Sequence, residues 1–137
     1  MVSDEERDIA KKKKVLPGAG ELTALVTASL EDDKAQDVVV IDLSGRTSFA
    51  DFMVIASGRS DRHVGAMAEH LTEKLKAAGM HSVPNEGMEF RDWVLLDAGD
   101  VVVHLFRPEV RAFYNLEKMW GLQADHAGEK DSAELIA

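Results

Sequence analysis

The stretch of this sequence with the most chemical potential is Ser57-Gly58-Arg59-Ser60-Asp61, where a short apolar run passes into a helical pattern. A glycine beside a helix N-terminus can hold a phosphate through free N–H groups, and such a Gly-Ser turn would suit nucleotide transfer. The plainer use is structural, with Gly58 making the turn and Ser60 capping the helix. Nucleotide transfer would also need paired carboxylates converging on Mg²⁺. Asp92 and Asp97 stand an odd number of residues apart on one expected strand, so their side chains leave opposite faces and cannot share an ion. His63 and His70 fall on one helical face, yet two turns separate them, about 10 Å along the axis. That is too far to clamp one metal, and both read as surface histidines. No Gly-x-Ser-x-Gly elbow is present. With no cysteine in the chain, disulfides, thiolate metal sites and thiol nucleophiles are excluded. The residues thus call for no catalytic centre, no metal and no cofactor.

The elements that position these residues follow from periodicity. Leu22, Leu25, Val26, Ser29 and Leu30 recur at helical spacing up to Asp32-Asp33, which predicts a first amphipathic helix. Asp37 to Leu43 contains the run Val38-Val39-Val40-Ile41 and predicts a strand buried on both faces. Asp51 to Ala56 is a second strand. Val64, Met67, Ala68, Leu71, Leu75 and Ala78 then mark a long helix, stopped by Gly79. A short extended piece near Met80 to Val83 ends at Pro84, and two strands follow, Asp92 to Asp97 and Asp100 to Phe106. Pro108 suits a helix start, and Val110, Phe113, Tyr114, Leu116 and Trp120 give a last helix one apolar side before Gly121 caps it. The expected order is αββαβββα, a single α/β domain with a mixed five-stranded sheet. Residues 1–20, with Lys11 to Lys14 and then Pro17-Gly18-Ala19-Gly20, read as a flexible arm. Residues 21–121 form the domain and 122–137 a polar tail.

The hairpin says more than the rest. With Ala98-Gly99 as a two-residue loop, Asp97 faces Asp100, Leu95 faces Val102 and Trp93 faces His104. Alternation then separates two faces. Val94, Leu96, Val101, Val103 and Leu105 are aliphatic and belong to the core. Trp93, Leu95, Val102, His104 and Phe106 make the other face, apolar in body with polar tips at Trp93 and His104. Such a surface suits a binding interface, although helices of the same chain, or a second copy in a homodimer of the free protein, would cover it equally well.

The chain has 137 residues, 45% hydrophobic and 30% charged, with a formal net charge of −9. This is the composition of one globular domain that folds without a partner. A strongly acidic surface disfavours wide contact with a nucleic-acid backbone and complements a basic protein surface, though it also serves simple solubility. No apolar stretch approaches the roughly 20 residues that cross a bilayer, and the acidic Ser3-Asp4-Glu5-Glu6 start is unlike a signal peptide. A soluble protein of the reducing cytoplasm is expected, with no membrane partner.

Several stretches together resemble the ribosomal silencing factors, also called Iojap-like proteins. They are Ala35-Gln36-Asp37-Val38-Val39-Val40-Ile41-Asp42, Asp51-Phe52-Met53-Val54-Ile55-Ala56-Ser57-Gly58, Ser60-Asp61-Arg62-His63-Val64, the hairpin from Asp92-Trp93-Val94-Leu95-Leu96-Asp97 through His104, and Phe113-Tyr114-Asn115-Leu116-Glu117 with Trp120-Gly121. The resemblance spans about Glu21 to Gly121. It implies a nucleotidyltransferase-like fold lacking the catalytic carboxylates. It also implies a protein that binds the fourteenth protein of the large ribosomal subunit, keeps the small subunit from joining, and restrains translation when nutrients are scarce. The family's hairpin tryptophan falls on Trp93 and its last-helix tyrosine on Tyr114. With the alternation above, the expected partner-binding set is Trp93, Leu95, Val102, His104, Phe106 and Tyr114. The competing expectation is a nucleotide-binding or nucleotidyltransferase enzyme on the same fold, which the missing carboxylate pair disfavours.

Overall fold

A computed structural model describes residues 17–119; the arm up to residue 16, the tail, Trp120 and the Gly121 cap lie outside the described residues. Among the described residues, nine elements follow in order: α1 (Ala19–Asp32), β1 (Gln36–Asp42), β2 (Phe52–Ser57), α2 (Asp61–Ala77), β3 (Asn85–Glu86), β4 (Trp93–Asp97), β5 (Val101–Phe106), α3 (Pro108–Tyr114) and α4 (Leu116–Met119). The strands form one sheet in the order β1-β2-β5-β4-β3. Only β2 and β5 run parallel, while β1, β3 and β4 pair antiparallel to their neighbours. The expected mixed five-stranded α/β domain is therefore what forms.

Helices α1 and α2 lie on one face of this sheet. Leu22, Val26 and Leu30 from α1 and Val64, Met67, Leu71 and Leu75 from α2 meet Val54, Ala56, Val94, Leu96, Val101, Val103 and Leu105 in the main core. The aliphatic hairpin side is wholly buried, each of its five residues being 0% exposed. Ser60 caps α2, its Oγ accepting from His63 N–H at 3.1 Å. Gly58 is needed there for closeness rather than for turning. A Cβ at that position would press on Met67 and Val64, both at 2.9 Å.

The structure corrects several expectations. The α1 helix starts at Ala19, inside the Pro-Gly-Ala-Gly stretch, because N–H groups of a first turn need no partner within the helix. The β1 strand is an edge strand. Only Ile41 of its residues is buried, and Val40 is 41% exposed, since a β-branched run reports strand preference and not burial. The register of β1 slips between Gln36 and Val39, where Asp37 takes φ 52°, a bulge of the kind that edges tolerate. The third strand lies after Pro84 at Asn85–Glu86, not at Met80 to Val83. Pro84 contributes only its carbonyl, which accepts from Asp97 N–H at 2.9 Å.

Two further corrections bear on function. His63 is not a surface histidine: it is 9% exposed, its Nδ1 accepts from Arg59 N–H at 2.8 Å, and its Nε2 lies 2.7 Å from the Asp33 carbonyl oxygen. It ties the start of α2 to the end of α1, while His70 meets the Asp33 carboxylate at 2.9 Å from a half-exposed position. The last helix is broken in two at Asn115, whose φ of 48° is left-handed and suits asparagine.

Candidate functional site

The hairpin register differs from expectation by two residues, pairing Trp93 with Phe106, Leu95 with His104 and Asp97 with Val102. The loop residues are Gly99, at φ 80°, and Asp100, because Ala98 still pairs with Val101, its N–H donating to the Val101 carbonyl at 2.9 Å. Asp97 joins the turn as well, its carboxylate accepting from Gly99 N–H at 2.9 Å. A slip of two residues changes every cross-strand partner and leaves every side chain on its expected face.

On the face away from α1 and α2, Phe106 is packed with Ile41, Leu43, Ala50, Met53 and Ile55, and Trp93, Val102, Val110 and Leu116 close over them. The short helices α3 and α4 thus cover part of this side. Four expected site residues meet in one ring cluster. The Trp93 indole stands 4.7 Å from the Tyr114 ring, 5.0 Å from Phe106 and 5.9 Å from His104, centroid to centroid. Trp93 Nε1–H donates to His104 Nδ1 at 3.0 Å. So the indole reaches His104 after all, diagonally across the ladder. His104 and Phe106 are 6% and 1% exposed, whereas Tyr114 keeps 49%. Leu95 and Val102, on the same face, are partly buried.

Beside the indole opens a cleft of about 540 Å³ lined by Gly87, Phe90, Asp92, Trp93, Glu109, Val110, Phe113 and Tyr114. Phe90 and Phe113 stand 72% and 80% in solvent. Phe113 was expected on the buried side of one long helix. The break at Asn115 leaves α3 only seven residues long, and its packing on the sheet comes through Val110. Phe90 carried no periodic signal, being a lone aromatic in a loop of polar residues. Gly87 sits at φ 91° against the Trp93 carbonyl, where a Cβ has no room. It therefore holds the loop close under the tryptophan. Arg107 lies between two rim carboxylates, pairing with Glu109 at 2.8 Å and with Asp92 at 3.1 Å, the latter a charge contact without hydrogen-bond alignment.

At a separate, smaller cleft, Arg111 donates to Glu117 at 2.7 Å and to Ser57 Oγ at 2.9 Å. This pair, 11% and 16% exposed, spans the Asn115 break and fixes the turn of chain that carries Tyr114. Its spacing, six residues across an interrupted helix, gave no pattern to find in the sequence. Among the described residues, no group of three or more histidines and carboxylates is placed to hold a metal ion.

Residues 17–136 match the family model for the ribosomal silencing factor during starvation. The chain belongs to this family. A ribosomal silencing factor of Zymomonas mobilis is 59% identical over 116 residues, covering 85% of this chain and 86% of that one. A Mus musculus protein named mitochondrial assembly of ribosomal large subunit protein 1 is 36% identical over 103 residues, 73% of this chain and 45% of its own. The fold agrees with a crystal structure from Chromobacterium violaceum at a TM-score of 0.73 and 45% identity, over 75% of this chain and 86% of the other. Membership in the ribosomal silencing factor family makes the chain a regulator of translation.

Proposed function

We propose that this protein docks on the large ribosomal subunit through that subunit's fourteenth protein, prevents the small subunit from joining, and so represses translation in the cytoplasm. Family membership over the whole described domain carries the reading. The docking face comprises Trp93, Leu95, Val102 and Tyr114, with His104 and Phe106 behind them. Phe90, Val110 and Phe113 extend it into the cleft. Large aromatic groups gathered at one place, partly wet and backed by a packed layer, are the usual anchors of a protein interface. The net charge of −9 supports a basic protein partner over extended RNA contact.

No observation favours the nucleotidyltransferase alternative. The Asp97 carboxylate is engaged in its own turn and that of Asp92 faces Arg107, so neither is turned toward a shared ion, which supports a role without catalysis. Sedimentation of the purified chain with isolated subunits tests the reading. It should travel with large subunits and not with small ones, and its addition should reduce the yield of joined ribosomes. Equal binding to both subunits would overturn the proposal.

A further inference from the structure

His104 shares a face with the docking residues but is 6% exposed, too covered to contribute a broad contact of its own. Its neighbours show what it does instead. Its ring stacks near-parallel on Phe106, with centroids 6.1 Å apart and planes 10° apart. Its Nδ1 accepts the only hydrogen the Trp93 indole can donate, at 3.0 Å. An indole lying on a sheet can rotate about two side-chain torsions. The bond to His104 selects one orientation, and in that orientation the ring also meets Tyr114.

We propose that His104 is the positioning residue of the docking face: as a neutral imidazole with its proton on Nε2, it locks the Trp93 indole in the orientation the partner receives. The proposal rests on the docking reading given above. Binding is stronger when a side chain is already held in its bound rotamer, because the ordering cost is met before association. The bond requires Nδ1 to be unprotonated. The titratable groups on the elements around this face are Asp37 and Asp42 on β1, Glu86 on β3, Asp97 on β4, Glu109, Arg111 and Tyr114 on α3, and Glu117 and Lys118 on α4; β2 has none. Burial alone accounts for the preference of His104 for the neutral form. Protonation would turn Nδ1 from acceptor to donor and set it against the indole N–H.

The test uses the full chain and two substitutions. In His104→Asn the amide oxygen stands near the place of Nδ1 and keeps an acceptor, whereas His104→Leu keeps bulk and removes it. With Trp120→Phe as background, nitrogen-15 spectra follow the single remaining indole. The Trp93 indole proton should exchange slowly with solvent in the parent and in His104→Asn, and quickly in His104→Leu. Large-subunit affinity should fall on the order of tenfold in His104→Leu, as expected from one newly freed side chain, and be largely restored in His104→Asn. Should His104→Leu fail to fold, the parent protein alone decides the matter at pH 7. Its His104 ring nitrogens must show an unprotonated Nδ1 and a protonated Nε2, and a proton on Nδ1 overturns the proposal. Unchanged indole exchange and unchanged affinity in a folded His104→Leu overturn it equally. A parent protein that ignores large subunits would sink the docking reading instead, with the exchange and tautomer measurements still judging the role of His104.

Discussion

Trp93 is engaged within the chain and offered outside it, so its removal should be felt in two measurements. Trp93→Ala deletes contacts to Tyr114, Phe106 and His104 and lowers the melting midpoint while leaving a cooperative transition. Its larger effect is expected on large-subunit binding, a loss of about 2 kcal/mol, or roughly thirtyfold. Val94, one residue along and 0% exposed on the opposite face, should behave in the reverse way. Val94→Ala should cost about 2 kcal/mol of stability and leave the affinity unchanged. Denaturant unfolding and sedimentation separate the two, and equal losses of affinity would move docking off the Trp93 side. A second expectation at this scale concerns acid. Burial lowers the His104 pKa from 6.5 to about 4, while the unfolded chain keeps the ordinary value. As pH falls below about 6.5 the unfolded chain takes up a proton that the native state refuses, so stability is lost progressively down to about pH 4 and is intact above neutrality. From pH 7 to pH 5 this should remove about 2 kcal/mol. His104→Asn lacks this component, so its stability should fall by about that much less than the parent's over the same interval. Identical pH slopes in the two proteins would contradict a buried neutral imidazole.

Among the elements, the corner between α3 and α4 matters most to the site because it carries Tyr114. A helix that ran on past Tyr114 would turn the following residues in another direction; the left-handed Asn115 ends it, and the Arg111–Glu117 pair ties the two pieces together. Removing one partner of a largely buried ion pair costs more than the pair itself contributes, because the other charge is left without compensation. Glu117→Ala should therefore destabilise the protein by about 3 kcal/mol and weaken large-subunit binding through Tyr114. The double replacement Arg111→Met with Glu117→Leu should recover part of the stability in denaturant unfolding. If Glu117→Ala costs no more than a surface substitution, the pair does not hold the corner. The break was not legible beforehand because Val110, Phe113, Tyr114 and Leu116 keep one apolar periodicity through it. One asparagine in an otherwise helical pattern does not announce a left-handed turn. The β1 strand was misread for a related reason: Val38-Val39-Val40-Ile41 fixes its strand character, but its place at the sheet edge depends on β5, some sixty residues on, taking the inner position beside β2.

At the scale of the whole molecule, a net charge of −9 should steer the protein toward a basic partner. Attraction between exposed charges is screened beyond about 10 Å at 0.1 M salt. The association rate with large subunits should accordingly fall as salt rises, while dissociation changes little, and stopped-flow mixing across a salt series checks it. A salt-independent association rate would remove charge steering and leave the aromatic contact to account for binding. The sequence by itself determined the mixed α/β domain, the strand and helix types and the two faces of the hairpin. Each of these follows from periodicities of 2 or 3.6 residues that survive a register slip of two. It also singled out Trp93 and Tyr114 through motifs and His104 through alternation, and the structure gathers these three rings in one cluster. Only the tertiary structure decided that the indole bonds to His104 while lying opposite Phe106, that His63 is a buried tie, and that Phe90 and Phe113 flank a cleft. Those outcomes depend on contacts between residues far apart in the chain, and on which short loops and broken helices come to lie over the sheet, information that no local pattern of residues contains.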